Sequence, residues 1–199
     1  MKKILLVGES WVSSATHYKG WDQFASTTFH LGAEELVESI DSSLFNVDYM
    51  PSHVAAENFP SNINDLKKYS AIIFSDIGSN TILLPPKVWI EGETVVNRLK
   101  LVKEYVKLGG SFLMVGGYLS FQGINGSARF KNTPIEEILP VEILPYDDRI
   151  EIPEGFKYKA HIAATRKPKD YPNWIDPITD IDDRWVAKED RQDAPDTGY

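Results

Sequence analysis

No cysteine occurs among the 199 residues, so a disulfide framework, a thiolate zinc site and a cysteine nucleophile are all excluded. Histidine is scarce as well: His17, His30, His53 and His161 include no HxxxH or HxH pair, and no metal site is expected. Positive charge is in deficit, with 21 Lys and Arg against 29 Asp and Glu, a net charge of -8 and a pI of about 5.0. Phosphate contacts need clustered cations, so no nucleic acid partner is expected. Long apolar runs are missing too. Nothing approaches the roughly 18 apolar residues of a membrane span, and the run after Lys2 and Lys3 meets Glu9 too soon for a signal peptide. A soluble, cytoplasmic protein with no membrane partner is the expectation. Gly116-Gly117 does not complete a GxGxxG, no Walker sequence is present, and no cofactor is expected.

What is there is enough for one core: 42% of the residues are hydrophobic and 25% charged, within the range of a single globular domain. Ile4-Leu5-Leu6-Val7 is apolar without alternation, the pattern of a strand buried on both faces of a parallel sheet. A polar, aromatic loop is expected over Trp11 to Phe29, forming a lid, an interface or a cover for its own helix. Ala33, Leu36, Val37, Ile40 and Leu44 then repeat at helical spacing. Asn46 to Met50 reads as a second strand, His53 to Pro60 as a loop with one helical turn, and Ala71 to Ser75 as a third buried strand. The clearest helix has Thr94 as its N-cap, a stripe of Val95, Val96, Leu99, Val102, Tyr105 and Val106, and a stop at Gly109-Gly110. A buried strand, Ser111 to Val115, follows, then a short helical turn in Thr133 to Leu139 and an edge strand in Val141 to Leu144. Strands alternating with such helices specify an α/β, three-layer α/β/α sandwich with a mostly parallel sheet. The domain is expected over residues 1–165. A polar tail at 166–199 follows, broken by Pro168, Pro172, Pro177 and Pro195; its Trp174 and Trp185 either anchor it on the domain or on a partner subunit, or belong to a mobile terminus.

Ligands of open parallel sheets bind beyond the carboxyl ends of the strands. Those ends gather Glu9, Ser10 and Trp11, then Asp76, Ser79 and Asn80, then Tyr118 and Ser120. Two carboxylates, hydroxyls, an amide, an indole and a phenol suit a small polar ligand such as a sugar or an amide. The same chemistry arises where solvated loops cap neighbouring helices, and the sequence leaves both readings open. Ser10 or Ser120 could attack with His17 or His30 as base, although no spacing shows that they meet. An enzyme of sugar-like substrates, hydrolase or isomerase, would use Glu9, Asp76 and Tyr118 as acid-base groups.

Four ordered motifs carry a family likeness: Ile4-Leu-Leu-Val-Gly-Glu-Ser10, Ile72-Ile-Phe-Ser-Asp-Ile-Gly78, the helix ending in Gly109-Gly110, and Gly116-Gly-Tyr-Leu-Ser-Phe-Gln-Gly123. Together with Pro140-Val-Glu-Ile-Leu-Pro-Tyr-Asp-Asp-Arg149, they resemble the glutamine amidotransferase-like family of bacterial cytoplasmic proteins, over about residues 1–155. The resemblance implies the flavodoxin-like fold of class I glutamine amidotransferases, with trehalose-utilisation-type proteins more distant. Amidotransferases of that class carry Gly-x-Cys-x-Gly at the last of these turns. Matched residue by residue, Gly116 stands first, Tyr118 takes the nucleophile's place and Ser120 that of the last glycine. A phenol, with a pKa near 10, cannot form the thioester that glutamine hydrolysis needs. The family's late-strand His and Glu have no legible counterparts, since no histidine follows His161. The expectation is a homo-oligomer that is not a glutaminase and binds a small polar ligand or a protein partner, or else serves as a structural subunit.

Overall fold

Three apolar runs set the frame: Lys2–Gly8 (β1), Ala71–Ser75 (β5) and Ser111–Val115 (β6) pair in parallel, with Phe45–Met50 (β4) on the other side of β1. In this computed structural model, which describes residues 1–40 and 42–150, the order across the sheet is β4-β1-β5-β6. Counted among the parallel strands alone, that is 2-1-3-4, the start of the flavodoxin-like order. The chain therefore enters the sheet at an inner strand, as its unalternating first run implies.

Side chains alternate across the sheet and sort into two cores. Leu5, Val7, Ile72, Phe74 and Met114 face the larger one, with Ala55 of Ser52–Asn58 (α2) and Phe59 just after it, Leu66 of Ile63–Leu66 (α3), Ile82 of Ser79–Leu83 (α4) and Leu99, Val102 and Tyr105 of Arg98–Lys107 (α6). Leu6 and Ile73 face the other way, onto Ala33 and Val37 at Glu34–Ser39 (α1). Helices thus lie on both faces of a parallel sheet, the α/β/α arrangement. Each fully buried leucine or valine contributes about 1.5–3 kcal/mol.

Several expectations give way. Trp11 to Phe29 is no loop but an antiparallel hairpin of two ten-residue strands, Ser10–Lys19 (β2) and Asp22–Leu31 (β3), turning at Gly20-Trp21. Its side chains pair across the strands, as Trp11 does with His30 and His17 with Phe24, so it needs no alternating apolar face to hold together. The stretch after Pro51 forms the two-turn α2 rather than a loop. Helix α6 starts at Asn97, whose Oδ1 accepts the Lys100 N–H, so Thr94, Val95 and Val96 lie ahead of it. Short Pro86–Trp89 (α5) comes earlier still, and residues 92–97 between the two helices are irregular. Helix α1 is shorter than its apolar spacing suggests, leaving Leu36 and Leu44 exposed. Strand β6 is a sheet edge among the described residues, with Leu113 exposed, and Val141 to Leu144 is irregular. The tail from 166, its two tryptophans, His161 and the boundary at 165 lie outside the described residues. Among those described, no helix is long and apolar enough to cross a membrane.

Candidate functional site

Strands β1 and β5 are the pair at which the strand order reverses, and each ends in a carboxylate: Glu9 after Gly8, and Asp76 after Ser75. The two ends are joined. The Glu9 N–H donates to the Ser75 carbonyl at 2.9 Å, and the Ser75 hydroxyl donates to Glu9 Oε1. Gly8 has φ +114 and lies so close to the Ser75 carbonyl that a Cβ would collide with it; only glycine fits there. Tyr49 of β4 adds a third tie, its hydroxyl donating to the Glu9 carbonyl at 2.8 Å. Burial raises the Tyr49 pKa, and the neighbouring Glu9 and Glu34 charges add to the effect.

Both carboxylate residues occupy the left-handed region, Glu9 at φ 45 and Asp76 at φ 45. A side chain there costs roughly 1–2 kcal/mol, less for Asp, which tolerates this conformation. Tyr118, by contrast, has no positive φ, and neither Gly116 nor Gly117 does. The turn after β6 is not followed by a helix, so the strand-turn-helix of a nucleophile elbow is not formed. What requires glycine at 117 is crowding: a Cβ would sit 2.8 Å from Asp76 Oδ1. That oxygen instead accepts the Leu119 N–H at 2.6 Å, and the Asp76 N–H donates to Ser120 Oγ at 3.2 Å.

Glu9, Asp76, Gly117, Tyr118, Arg149 and Ile150 line one shallow cleft of ≈ 440 Å³. Three of the eight site residues expected from sequence thus come together. Trp11 stands at the margin: a Cβ on Gly32 would touch both Glu9 Oε2 and the Trp11 ring. The other four do structural work or lie outside the cleft lining. Ser10 Oγ accepts the Ser52 N–H at the start of α2, Ser79 Oγ donates to the Arg129 carbonyl, and buried Ser120 supports Asp76. Asn80 is exposed on α4.

Sequence reasoning missed the segment that closes the cleft. Asp148 accepts the N–H groups of Gln122 and Gly123, both at 2.8 Å, and Asp147 accepts that of Asn125 at 2.7 Å. Arg149 is held by Asp147 through Nε at 3.1 Å and Nη2 at 3.0 Å, and its guanidinium lies 5.2 Å from the Tyr118 ring centre. The Arg149 guanidinium, then the Asn125 N–H, hold the Asp147 carboxyl well below the usual carboxylate range. The only sequence signal was that Asp147-Asp148-Arg149 falls within a family-like stretch. Among the described residues, no three His, Asp or Glu side chains are grouped to hold a metal.

The family model described as "Putative glutamine amidotransferase" matches residues 3–174. This chain belongs to that family. Among solved structures, Cytoplasmic Protein STM3548 from Salmonella typhimurium is 46% identical, with a TM-score of 0.74 over 77% of this chain and 62% of its own. Cytoplasmic Protein STM1381 from Salmonella typhimurium LT2 is 42% identical, with a TM-score of 0.74 over 80% of this chain and 67% of its own. The chain thus spans less than two thirds of the first relative. No curated protein matches it significantly. Tyr118 is 60% exposed at the cleft wall.

Proposed function

We propose that this chain is an amidotransferase-like protein without glutaminase activity, binding a small polar ligand at the carboxyl edge of its sheet. The observation that carries this reading is the shared cleft of Glu9, Asp76 and Tyr118, its two carboxylates ending the strands on either side of the order reversal. Carboxylates accept hydrogen bonds, so the ligand supplies donors, as the hydroxyls of a polyol or sugar do. The phenol and the guanidinium stacked on it offer a flat wall for the ligand's carbon face. A cytoplasmic location is supported by the two relatives, both cytoplasmic proteins.

Titration of the 199-residue chain with glucose and sorbitol, followed by NMR chemical shifts, tests the reading. Saturable shifts that weaken at least about tenfold in Asp76→Asn are expected, equivalent to the loss of a charge-assisted hydrogen bond. Binding of inorganic phosphate in place of either polyol would overturn it, as would ammonia release from glutamine.

A second reading has its own support. Left-handed backbone at both carboxylate residues is strain of the kind found at reactive sites. It favours acid-base chemistry on a sugar-like substrate, with Glu9 and Asp76 exchanging protons and Tyr118 as a hydrogen-bond donor. Turnover of a sugar phosphate or glycoside that vanished in Glu9→Gln would establish this second reading over simple binding.

A further inference from the structure

The hairpin leaves the sheet at Glu9 and returns at Gly32, whose N–H donates to the Glu9 carbonyl at 2.7 Å. Between these points nearly every residue is exposed. Trp11, Val12, Tyr18, Trp21, Phe24, Phe29 and Leu31 all present large apolar surface, and Trp21 at the turn is 104% exposed. A two-stranded ribbon of this kind is marginal alone in water. Its ionised side chains are Lys19 and Asp22, directly opposite each other, so the arm is neutral in a chain of net charge -8. Aromatic enrichment with depletion of charge is the composition of an interface centre.

A second apolar surface lies on the body. Leu84, Trp89, Ile90 and Val96 are exposed, and Val96 lines a cleft of ≈ 620 Å³ with Pro85, Pro86 and Val95 on one part of its wall and Glu57, Lys87 and Arg98 on the rest. Trp89 is 69% exposed. Among the described residues, one chain therefore carries both an exposed apolar arm and an exposed seat of mixed apolar and polar character.

We infer that the arm of one copy clasps the Trp89 surface of a second copy of this chain, and that the exchange is reciprocal. Area favours this arrangement over arm-to-arm contact. At about 3.4 Å per residue and 4.8 Å between strands, each face of the ribbon measures about 340 Å². Two arms meeting face to face remove about 700 Å², short of the roughly 1,000 Å² expected of a stable interface. Two arms each laid on the other body remove about 1,400 Å², inside the standard range of about 1,200–2,000 Å². A two-fold axis then covers both surfaces at once and leaves no open end for further growth. The neutral arm also lets two acidic bodies associate without placing like charges in contact.

Sedimentation velocity of the 199-residue chain at micromolar concentration is the test. A dimer is expected, with Trp21→Ser, Tyr18→Ser and Trp89→Ser each raising its dissociation constant by about tenfold or more. These side chains are solvent-exposed, so circular dichroism of each variant should match the parent. An equimolar mixture of Trp21→Ser and Trp89→Ser chains retains one intact arm-and-seat contact and should dimerise better than either variant alone. A monomeric parent chain would overturn the inference. So would a dimer that responds to the arm variants but not to Trp89→Ser, which would mean arm-to-arm contact, or one indifferent to all three, which would place the interface elsewhere.

Discussion

Gly116 and Gly117 are neighbours in one turn, yet alanine should act in opposite directions at the two positions. At Gly117 the added methyl group would lie 2.8 Å from Asp76 Oδ1, 3.0 Å from its Cβ and 3.1 Å from its Cγ. Asp76 cannot yield cheaply. Its Oδ1 holds the Leu119 N–H at 2.6 Å, its N–H is tied to Ser120, and its backbone is already at φ 45. Relief requires either losing a hydrogen bond to a charged acceptor, about 1.5–3 kcal/mol, or overpacking of about 1–3 kcal/mol. The expected cost of Gly117→Ala is about 2–3 kcal/mol by either route. At Gly116 nothing lies within 4 Å and the backbone is not left-handed. Gly116→Ala should therefore be neutral, or stabilise by up to about 1 kcal/mol through the unfolded chain's lost freedom. Urea unfolding followed by circular dichroism reads both values. An Asp76→Gly background removes the obstructing side chain, so the penalty at 117 should nearly vanish there. Equal effects at the two glycines, or a penalty at 117 that survives Asp76→Gly, would refute the contact as the reason for glycine.

Two further outcomes follow from buried charge. Arg98 is almost fully buried and donates to the Ala56 carbonyl at 2.9 Å, the Glu57 carbonyl at 2.8 Å and, at 3.5 Å, that of Ile82. Arg98→Met should cost about 2–4 kcal/mol in urea unfolding by orphaning carbonyls near the ends of α2 and α4, and Arg98→Lys should recover only part, because a single ammonium cannot span the same fork. Glu136 is buried, which alone would raise its pKa, but Lys131 and the N–H groups of Asn132 and Ile143 bond to it and lower it below 4.5. A carboxylate with a lowered folded pKa stabilises the fold above its unfolded value and loses that contribution as pH falls through the folded one. The parent should therefore lose stability in acid more steeply than Glu136→Gln, which is weaker at pH 7 and flatter below pH 4.5. Parallel curves for the two proteins in urea titrations across this range would contradict the assignment.

The sheet was legible because its strands are buried by type. Ile4 to Val7 and Ala71 to Phe74 have no polar alternation, and only an inner parallel strand requires that. Helix starts were less legible, since capping depends on which side-chain oxygen reaches a backbone N–H. Thr94 and Asn97 are both acceptable caps, and Asn97 holds the Lys100 N–H. The hairpin was hidden for a different reason. Trp11 to Phe29 mixes Ser, Thr and aromatic residues on both faces, so no period of two separates a wet side from a dry one. An arm with two exposed faces has no such asymmetry to show. In the site, the strand-end rule located Glu9, Asp76 and Tyr118, but residue type alone could not separate them from Ser10, Ser79 and Ser120, whose hydroxyls hold backbone. Arg149 reaches the cleft through the Asp147-Asp148 loop, a contact across sequence that no local pattern encodes.

Backbone strain at the sheet's carboxyl edge is concentrated at the two carboxylate residues rather than at Tyr118. An amidotransferase elbow concentrates distortion on its nucleophile, so that the reactive atom stands clear of the sheet. Here Tyr118, at the turn after β6, has no positive φ, while Glu9 and Asp76 both have one. Each carboxylate residue is over-determined by neighbours: Glu9 by Ser75, Tyr49 and Gly32, and Asp76 by Leu119 and Ser120. Such anchoring is what allows a costly backbone conformation to persist in a stable fold. Tyr118 lines the cleft wall, and the carboxylates that share the cleft stand one and two strands away. For this reason the charge-removing Asp76→Asn and Glu9→Gln, which keep side-chain size and relieve no strain, probe the proposed function more directly than any change at Tyr118.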